Sequence, residues 1–173
     1  MEPKPKGFTL IELLVTLSVA AILLTIAVPN FQTFVLNNRI ANQANMMLVA
    51  LNYARSEAVK RGGTVTVCPS SNGTSCSGGT SWSSGWIVFV DPNSDGVVAA
   101  NSDVLRVFPA LTGNTLNTST DTYFPFSGSG ALAAGVAGDD LRLCDSRGVA
   151  YSKDINVLAS GRAAVTGTAS TCP

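Results

Sequence analysis

The sequence predicts an α+β fold, one long N-terminal helix followed by about six to eight short strands, with the helix covering one face of an antiparallel sheet. Two observations carry this. Residues 8–61 keep an apolar and then amphipathic pattern that Gly62-Gly63 stops. After Gly63 the chain turns to short β-branched and aromatic runs separated by Ser/Gly/Asn/Asp-rich segments. No internal repeat of about 20–50 residues interrupts this order, so a solenoid is excluded.

The first part of the helix is apolar on all sides. Phe8 to Val28 carries one charge, Glu12, and its 21 residues would span roughly 31 Å as a helix, the thickness of a bilayer core. Lys4 and Lys6 precede it, and the next basic residue is Arg39. The positive-inside rule places Met1 in the cytoplasm and the bulk of the chain across the membrane. A secretory signal would have a shorter apolar core closed by a small-residue cleavage site. Glu12 is costly inside a membrane; it either snorkels to the interface or meets a charge supplied by another subunit. Pro29 predicts a bend near Ala27 to Pro29. From Asn30 the pattern is amphipathic. Phe34, Ala41, Ala44, Leu48, Leu51, Arg55 and Ala58 form the expected buried stripe, flanked by Phe31, Val35, Met47 and Ala54.

The expected strands are Thr64–Val67, Trp86–Val90, Val104–Phe108, Tyr123–Phe126, Leu141–Cys144, Asp154–Leu158 and Arg162–Thr166. The intervening segments 70–85, 91–96, 113–121 and 128–138 read as turns. Four cysteines allow three disulfide connectivities. The favoured one is Cys68–Cys76, closing a Ser/Gly-rich loop, with Cys144–Cys172 tying the tail to a strand; these would contribute roughly 2.5 and 3.5 kcal/mol. A four-cysteine zinc site lacks any C-x-x-C step.

Composition narrows the function. There are 11 basic and 11 acidic residues, no histidine, and 13% charged residues in all, against about 25% in an average domain. That excludes a histidine general base, Ser–His and Cys–His nucleophile pairs, and imidazole metal ligation. Ser56 and Lys60, four apart on a helix, are the remaining enzyme-like pair, and many surface pairs share that spacing. Neutrality argues against bulk electrostatic binding of nucleic acid. Asp91-Pro92-Asn93-Ser94-Asp95-Gly96 matches the first half of a calcium-binding EF-hand loop, but Ser102 falls where the bidentate Glu belongs, and the segment reads as a turn. No cofactor, metal or small-molecule substrate is expected.

Gly7-Phe8-Thr9-Leu10-Ile11-Glu12 resembles the GFTLIE signature of type IV pilins and type II secretion pseudopilins. The resemblance implies a pilin-like fold, a long spine helix packed on an antiparallel β-sheet head stapled by disulfides. It also implies cleavage between Gly7 and Phe8 by a prepilin peptidase, N-methylation of Phe8, and pairing of Glu12 with a neighbour's N-terminal amine during assembly. Pro29 matches the position of a kinking proline in many members. The organisation implied is a leader (1–7), a transmembrane and assembly half-helix (8–29), an amphipathic half-helix (30–62) and an extracytoplasmic head (63–173). The chain would wait in the inner membrane with its head in the periplasm, then enter a pilus or pseudopilus beside other major and minor pilins.

Further segments resemble the GspH/FimT branch: Ala54-Arg55-Ser56-Glu57-Ala58, Gly85-Trp86 through the turn at Gly96, Leu143-Cys144-Asp145-Ser146-Arg147-Gly148, and Ser160-Gly161-Arg162. That branch implies a minor pilin of FimU type that helps initiate or cap a pilus. Its alternatives are a DNA-binding FimT-like pilin and a GspH-type pseudopilin. DNA-binding members share a GRxR motif, and Gly161-Arg162-Ala163-Ala164 lacks the second arginine. Arg142, Arg147, Lys153 and Arg162 are the residues that would touch DNA.

Overall fold

Apolar residues at steps of three and four build one helix, α1, over Leu10–Arg61. The computed structural model describes residues 7–172, so leader residues 1–6, including Lys4 and Lys6, lie outside the described residues. The chain divides into two compact units between Asn38 and Arg39, part-way along α1.

In the first unit the side chains of α1 are exposed, and an 18-residue window of mean hydropathy 2.5 has none of its residues buried. The helix continues through Pro29. Side chains bond the backbone around it: Asn30 Nδ2 donates to Ile26 O at 2.9 Å and Thr33 Oγ1 to Pro29 O at 3.1 Å. Each adds a side-chain donor to a carbonyl near Pro29, whose missing N–H leaves Thr25 O without its usual helical donor.

In the second unit α1 buries Ile40, Ala44, Met47, Ala50, Leu51, Ala54 and Ala58. Ile40, Ala44, Met47, Leu51, Ala54 and Ala58 alternate steps of four and three, a single seam on the helix. Of the expected stripe and its flanks, Ala44, Met47, Leu51, Ala54 and Ala58 are buried on this seam, and the other members fall outside it. Phe34 is 62% exposed, Ala41 is exposed and Leu48 half-buried. Close approach of sheet and helix favours the small Ala44, Ala50, Ala54 and Ala58; of the buried residues, the expected stripe and its flanks lacked Ile40 and Ala50.

Eight strands follow: β1 Val65–Pro69, β2 Trp86–Val90, β3 Val104–Phe108, β4 Asn114–Asn117, β5 Phe124–Phe126, β6 Asp140–Asp145, β7 Lys153–Val157 and β8 Ala163–Gly167. They form two four-stranded antiparallel sheets, ordered β3-β2-β1-β5 and β4-β6-β7-β8, rather than the single sheet expected. The unexpected strand is β4, with sequence NTLN, inside the segment read as a turn. Its polar residues carry no strand signal; it forms because β6 offers a ladder and Leu116 a buried anchor. Both sheets meet the helix seam in one core, where Val65, Val67, Trp82, Trp86, Phe124 and Phe126 join Leu116, Leu141, Leu143, Ile155 and Val157. Trp82 and Phe124 lie 5.5 Å apart there, tilted. Disulfides Cys68–Cys76 and Cys144–Cys172 are present as favoured from the sequence.

The seam yields a direct test. Met47→Ala should destabilise the head by about 2–4 kcal/mol through the cavity it leaves, whereas Phe34→Ala should change unfolding by less than about 0.5 kcal/mol. Chemical denaturation of the two variants in detergent, followed by tryptophan fluorescence, distinguishes them.

Candidate functional site

The start of α1 holds the residues expected to be processed. Gly7, Phe8 and Thr9 precede the helix. Space around Gly7 is open, and Phe8 is 83% exposed. Glu12 N donates to Thr9 Oγ1 at 3.3 Å, and Thr9 N to Glu12 Oε2 at 3.5 Å. This reciprocal pair is a capping box: Thr9 and Glu12 occupy orphan groups at the helix start. The sequence signal, T-x-x-E before an apolar run, was present and had been absorbed into the longer signature. Glu12 is exposed, and among the described residues it forms no ion pair.

The four cations proposed to meet DNA are held differently from one another. Arg147 is bound within its own turn: Nε donates to Asp145 Oδ2 and its backbone N to Asp145 Oδ1, each at 2.9 Å. Its guanidinium also lies 4.1 Å above the Tyr151 ring. Burial works against ionisation of Asp145, but hydrogen bonds from the Arg147 side chain and backbone, then the charges of Arg147 and Arg39, hold its carboxyl below the ordinary range. Arg142, on β6, donates to Ser119 and stands opposite Asp154 of β7. Burial, then the charge of Asp140, pushes the Asp154 carboxyl upward. The outer surface of this sheet therefore sets Arg142 among Asp140 and Asp154, a poor approach for phosphate. Lys153 opens β7, and Arg162 is exposed just before β8. Gly161, at φ +76°, touches the backbone of Gly130 so closely that any side chain would collide; this packing explains the glycine before Arg162.

Asp91 to Gly96 is a turn closed by its own carboxylates. Asp91 is 1% exposed and accepts from Thr66 Oγ1 at 2.8 Å, Gly96 N at 3.0 Å and Asp95 N at 3.3 Å. Asp95 Oδ1 accepts from Val97 N at 2.9 Å. The oxygens a calcium ion would need are thus turned onto protein donors. Among the described residues no group of three or more His, Cys, Asp or Glu side chains is placed to hold a metal.

Sequence reasoning overlooked Asp139. One of its oxygens accepts from three successive backbone N–H groups, Ser119 at 2.8 Å, Thr120 at 2.7 Å and Asp121 at 3.0 Å. The other accepts from Asp140 N at 2.8 Å. Burial disfavours its charge, yet the backbone donors of Thr120, Asp121, Asp140 and Ser119 outweigh it and hold the carboxyl below its ordinary value. No sequence pattern signals an acceptor about 20 residues from the turn it closes.

An apolar helix led by a processing signature, followed by a β-rich disulfide-bonded head, defines a pilin-type subunit. Residues 3–28 match the prokaryotic N-terminal methylation motif. Residues 43–161 match the family described as Type II transport protein GspH, and the chain belongs to that family. No curated protein matches it. Among solved structures, the fold is shared with two crystal forms of the Pseudomonas aeruginosa type IV minor pilin FimU. One aligns with a TM-score of 0.62 at 18% identity, over 77% of this chain and 99% of that one. The other gives 0.64 at 19% identity, over 81% and 99%. The family and fold are those of structural pilins.

Asp139 supplies a pH-dependent prediction. Its folded pKa is depressed, so its contribution is full above the unfolded value of about 3.9 and is lost as pH falls through the folded value. Asp139→Ala should cost about 2 kcal/mol at neutral pH, and the gap from wild type should narrow below about pH 4. Denaturant titrations across that range check it.

Proposed function

We propose that the chain is a minor pilin of a type IV pilus, entering the filament through α1 and helping to initiate or cap assembly. The observation that carries this reading is an exposed, membrane-length apolar helix, capped at Thr9–Glu12, in a chain whose residues 43–161 match the GspH family. Prepilin peptidase cuts between Gly7 and Phe8 and the Phe8 amine is methylated. The apolar helix holds the subunit in the inner membrane, head outward, until assembly. On assembly, Glu12 exchanges its local cap for a neighbour's Phe8 amine, and helices exchange lipid contact for protein contact. Pro29 provides the bend near Ala27. The chain has no enzymatic role.

A second reading, a pseudopilin of type II secretion, is favoured by the description of the matching family. It uses the same helix chemistry, and the two diverge in which filament contains the chain. The DNA-binding reading has less support, because Arg147 is satisfied by Asp145 and Arg142 faces Asp154. With Lys153 and Arg162 remaining, and a slope of about 0.9 per phosphate, binding should be weak and confined to low salt.

Replacing Gly7 by Val should leave residues 1–7 attached, seen as an uncut precursor by intact mass; normal maturation would refute the processing step. Glu12→Val should lower recovery in sheared filaments at least about tenfold, as expected when one partner of a buried charge pair is lost. Recovery with pili or with secretion pseudopili separates the two filament readings. Gel shifts with duplex DNA should show no retardation near 150 mM salt, a value of roughly physiological strength.

A further inference from the structure

On α1, steps of three and four put Asn52, Arg55, Ser56 and Val59 on one face, beside the buried Leu51, Ala54 and Ala58. With Lys60 they line a groove of about 480 Å³ on the surface of the head. The turn at residues 127–131 packs against this face. It is closed by Ser127 N donating to Ala131 O and Gly130 N to Ser127 O, each at 2.8 Å. Gly130 sits at φ +81°, and a Cβ there would lie 3.1 Å from Val59 Cγ2 and 3.2 Å from Arg55 Nε. Glycine thus lets the turn close onto the arginine, and Gly161 in its turn packs against Gly130.

Arg55 is held there without an acceptor. It is half-buried, and among the described residues it forms neither a hydrogen bond nor an ion pair. Glu57 lies two residues on, toward a different face of the helix, and is bound by Lys60 at 3.5 Å and Arg61 at 2.8 Å. The neighbouring turns supply no carboxylate: residues 127–131 and 158–162 contain no Asp or Glu, and the second ends in Arg162. Ser56 Oγ donates to Asn52 O at 2.8 Å. A guanidinium carries five N–H donors and no acceptor, and leaving them unmet while part of the group is out of water is costly. Arg147 shows the alternative in the same head, with Asp145 supplied by its own turn.

We propose that this groove receives an aspartate or glutamate side chain from the head of an adjacent pilin subunit, whose carboxylate pairs with Arg55. This contact rests on the filament reading and names one of its interfaces. Charge complementarity selects the occupant. Arg55 is the unmatched charge of the groove, since Lys60 is shared with Glu57, and one carboxylate meets one guanidinium through paired hydrogen bonds. Val59 is 53% exposed, and with the aliphatic stems of Arg55 and Lys60 it gives the methylenes of such a side chain an apolar rim. A polyanion is disfavoured, because the chain as a whole is neutral and offers it no wider field. A free acid has one ion pair to hold it in an open groove. A side chain carried on a packed subunit arrives at high effective concentration.

Full-length chain in detergent micelles, with isotope-labelled arginine, tests the groove directly by NMR, the Arg55 Nε–H signal being the one lost in R55K. The peptide acetyl-Gly-Glu-Gly-amide should shift that signal saturably, and acetyl-Gly-Gln-Gly-amide should leave it in place. Inorganic phosphate should move it less than the glutamate peptide does. No shift with the glutamate peptide, an equal shift with the glutamine peptide, or a larger one with phosphate overturns the proposal. In cells, R55E and R55M should each lower recovery in sheared filaments about fivefold or more, while R55K keeps most of it. N52D separates docking from a purely structural role, because its carboxylate, three residues before Arg55, pairs within the helix and occupies the guanidinium. N52D should keep thermal stability at or above wild type yet lose recovery as R55M does; a purely structural Arg55 predicts the stability without the loss. Wild-type recovery of R55M and N52D, with the unaltered chain present in filaments, overturns this contact and leaves the filament reading standing. Absence of the unaltered chain from both pili and pseudopili overturns both.

Discussion

The head depends on one narrow seam of α1 being covered by two sheets at once. Ile40, Ala44, Met47, Leu51, Ala54 and Ala58 lie along it, and three of these six are alanine. Small side chains let backbones approach closely, so large residues come from the strands and the segment beside β4: Trp82, Trp86, Phe124 and Phe126 are all fully buried. Bulk on the sheets and smallness on the helix are complementary choices. A larger residue at Ala50 or Ala54, each with no exposed surface, would push both sheets away together. Amides extend the same contact beyond the apolar seam, where Gln43 donates to Thr112 O at 3.2 Å and accepts from Asn114 Nδ2 at 2.6 Å.

The same helix changes its solvent along its length. After Asn38 its apolar residues have a core to enter; before it they have none within the chain. Leu10 to Val28 therefore satisfies its backbone internally, as a membrane demands, and Thr16 and Ser18 return their hydroxyls to Leu13 O and Leu14 O. The one charged residue there, Glu12, sits in the first turn, where a carboxylate complements the helix dipole and bonds Thr9. A residue that reads as a liability within an apolar run is, at that position, part of the helix start.

Legibility in the sequence followed how local the causing interaction is. Trp86–Val90 and Val104–Phe108 have the same bounds in the structure because their β-branched and aromatic runs are continuous. The end of α1 at Gly62 was legible for the same reason, with Gly62 at φ +64°. β4 was not legible, because Asn114, Thr115 and Asn117 become strand only through pairing with residues nearly 30 positions away. Division into two sheets was hidden likewise, since β5 returns to β1 while β4 goes to β6. In the candidate sites, the C-D-x-R-G pattern was visible, but whether Arg147 faced solvent or Asp145 was a matter of rotamer, and the structure turns it inward.

Low charge in this head then acquires a physical explanation. Several carboxylates are spent on backbone geometry: Asp91 closes its turn, Asp139 gathers the amides of 119–121, and Asp145 fixes Arg147. An acceptor that satisfies several N–H groups contributes more to a loop-rich fold than a solvated surface ion pair does. Carboxylates used in this way add little to the outward field, so a subunit with so few charges approaches its partners without strong electrostatic steering. Selectivity in such contacts must then come from shape and from individually placed polar groups rather than from net charge.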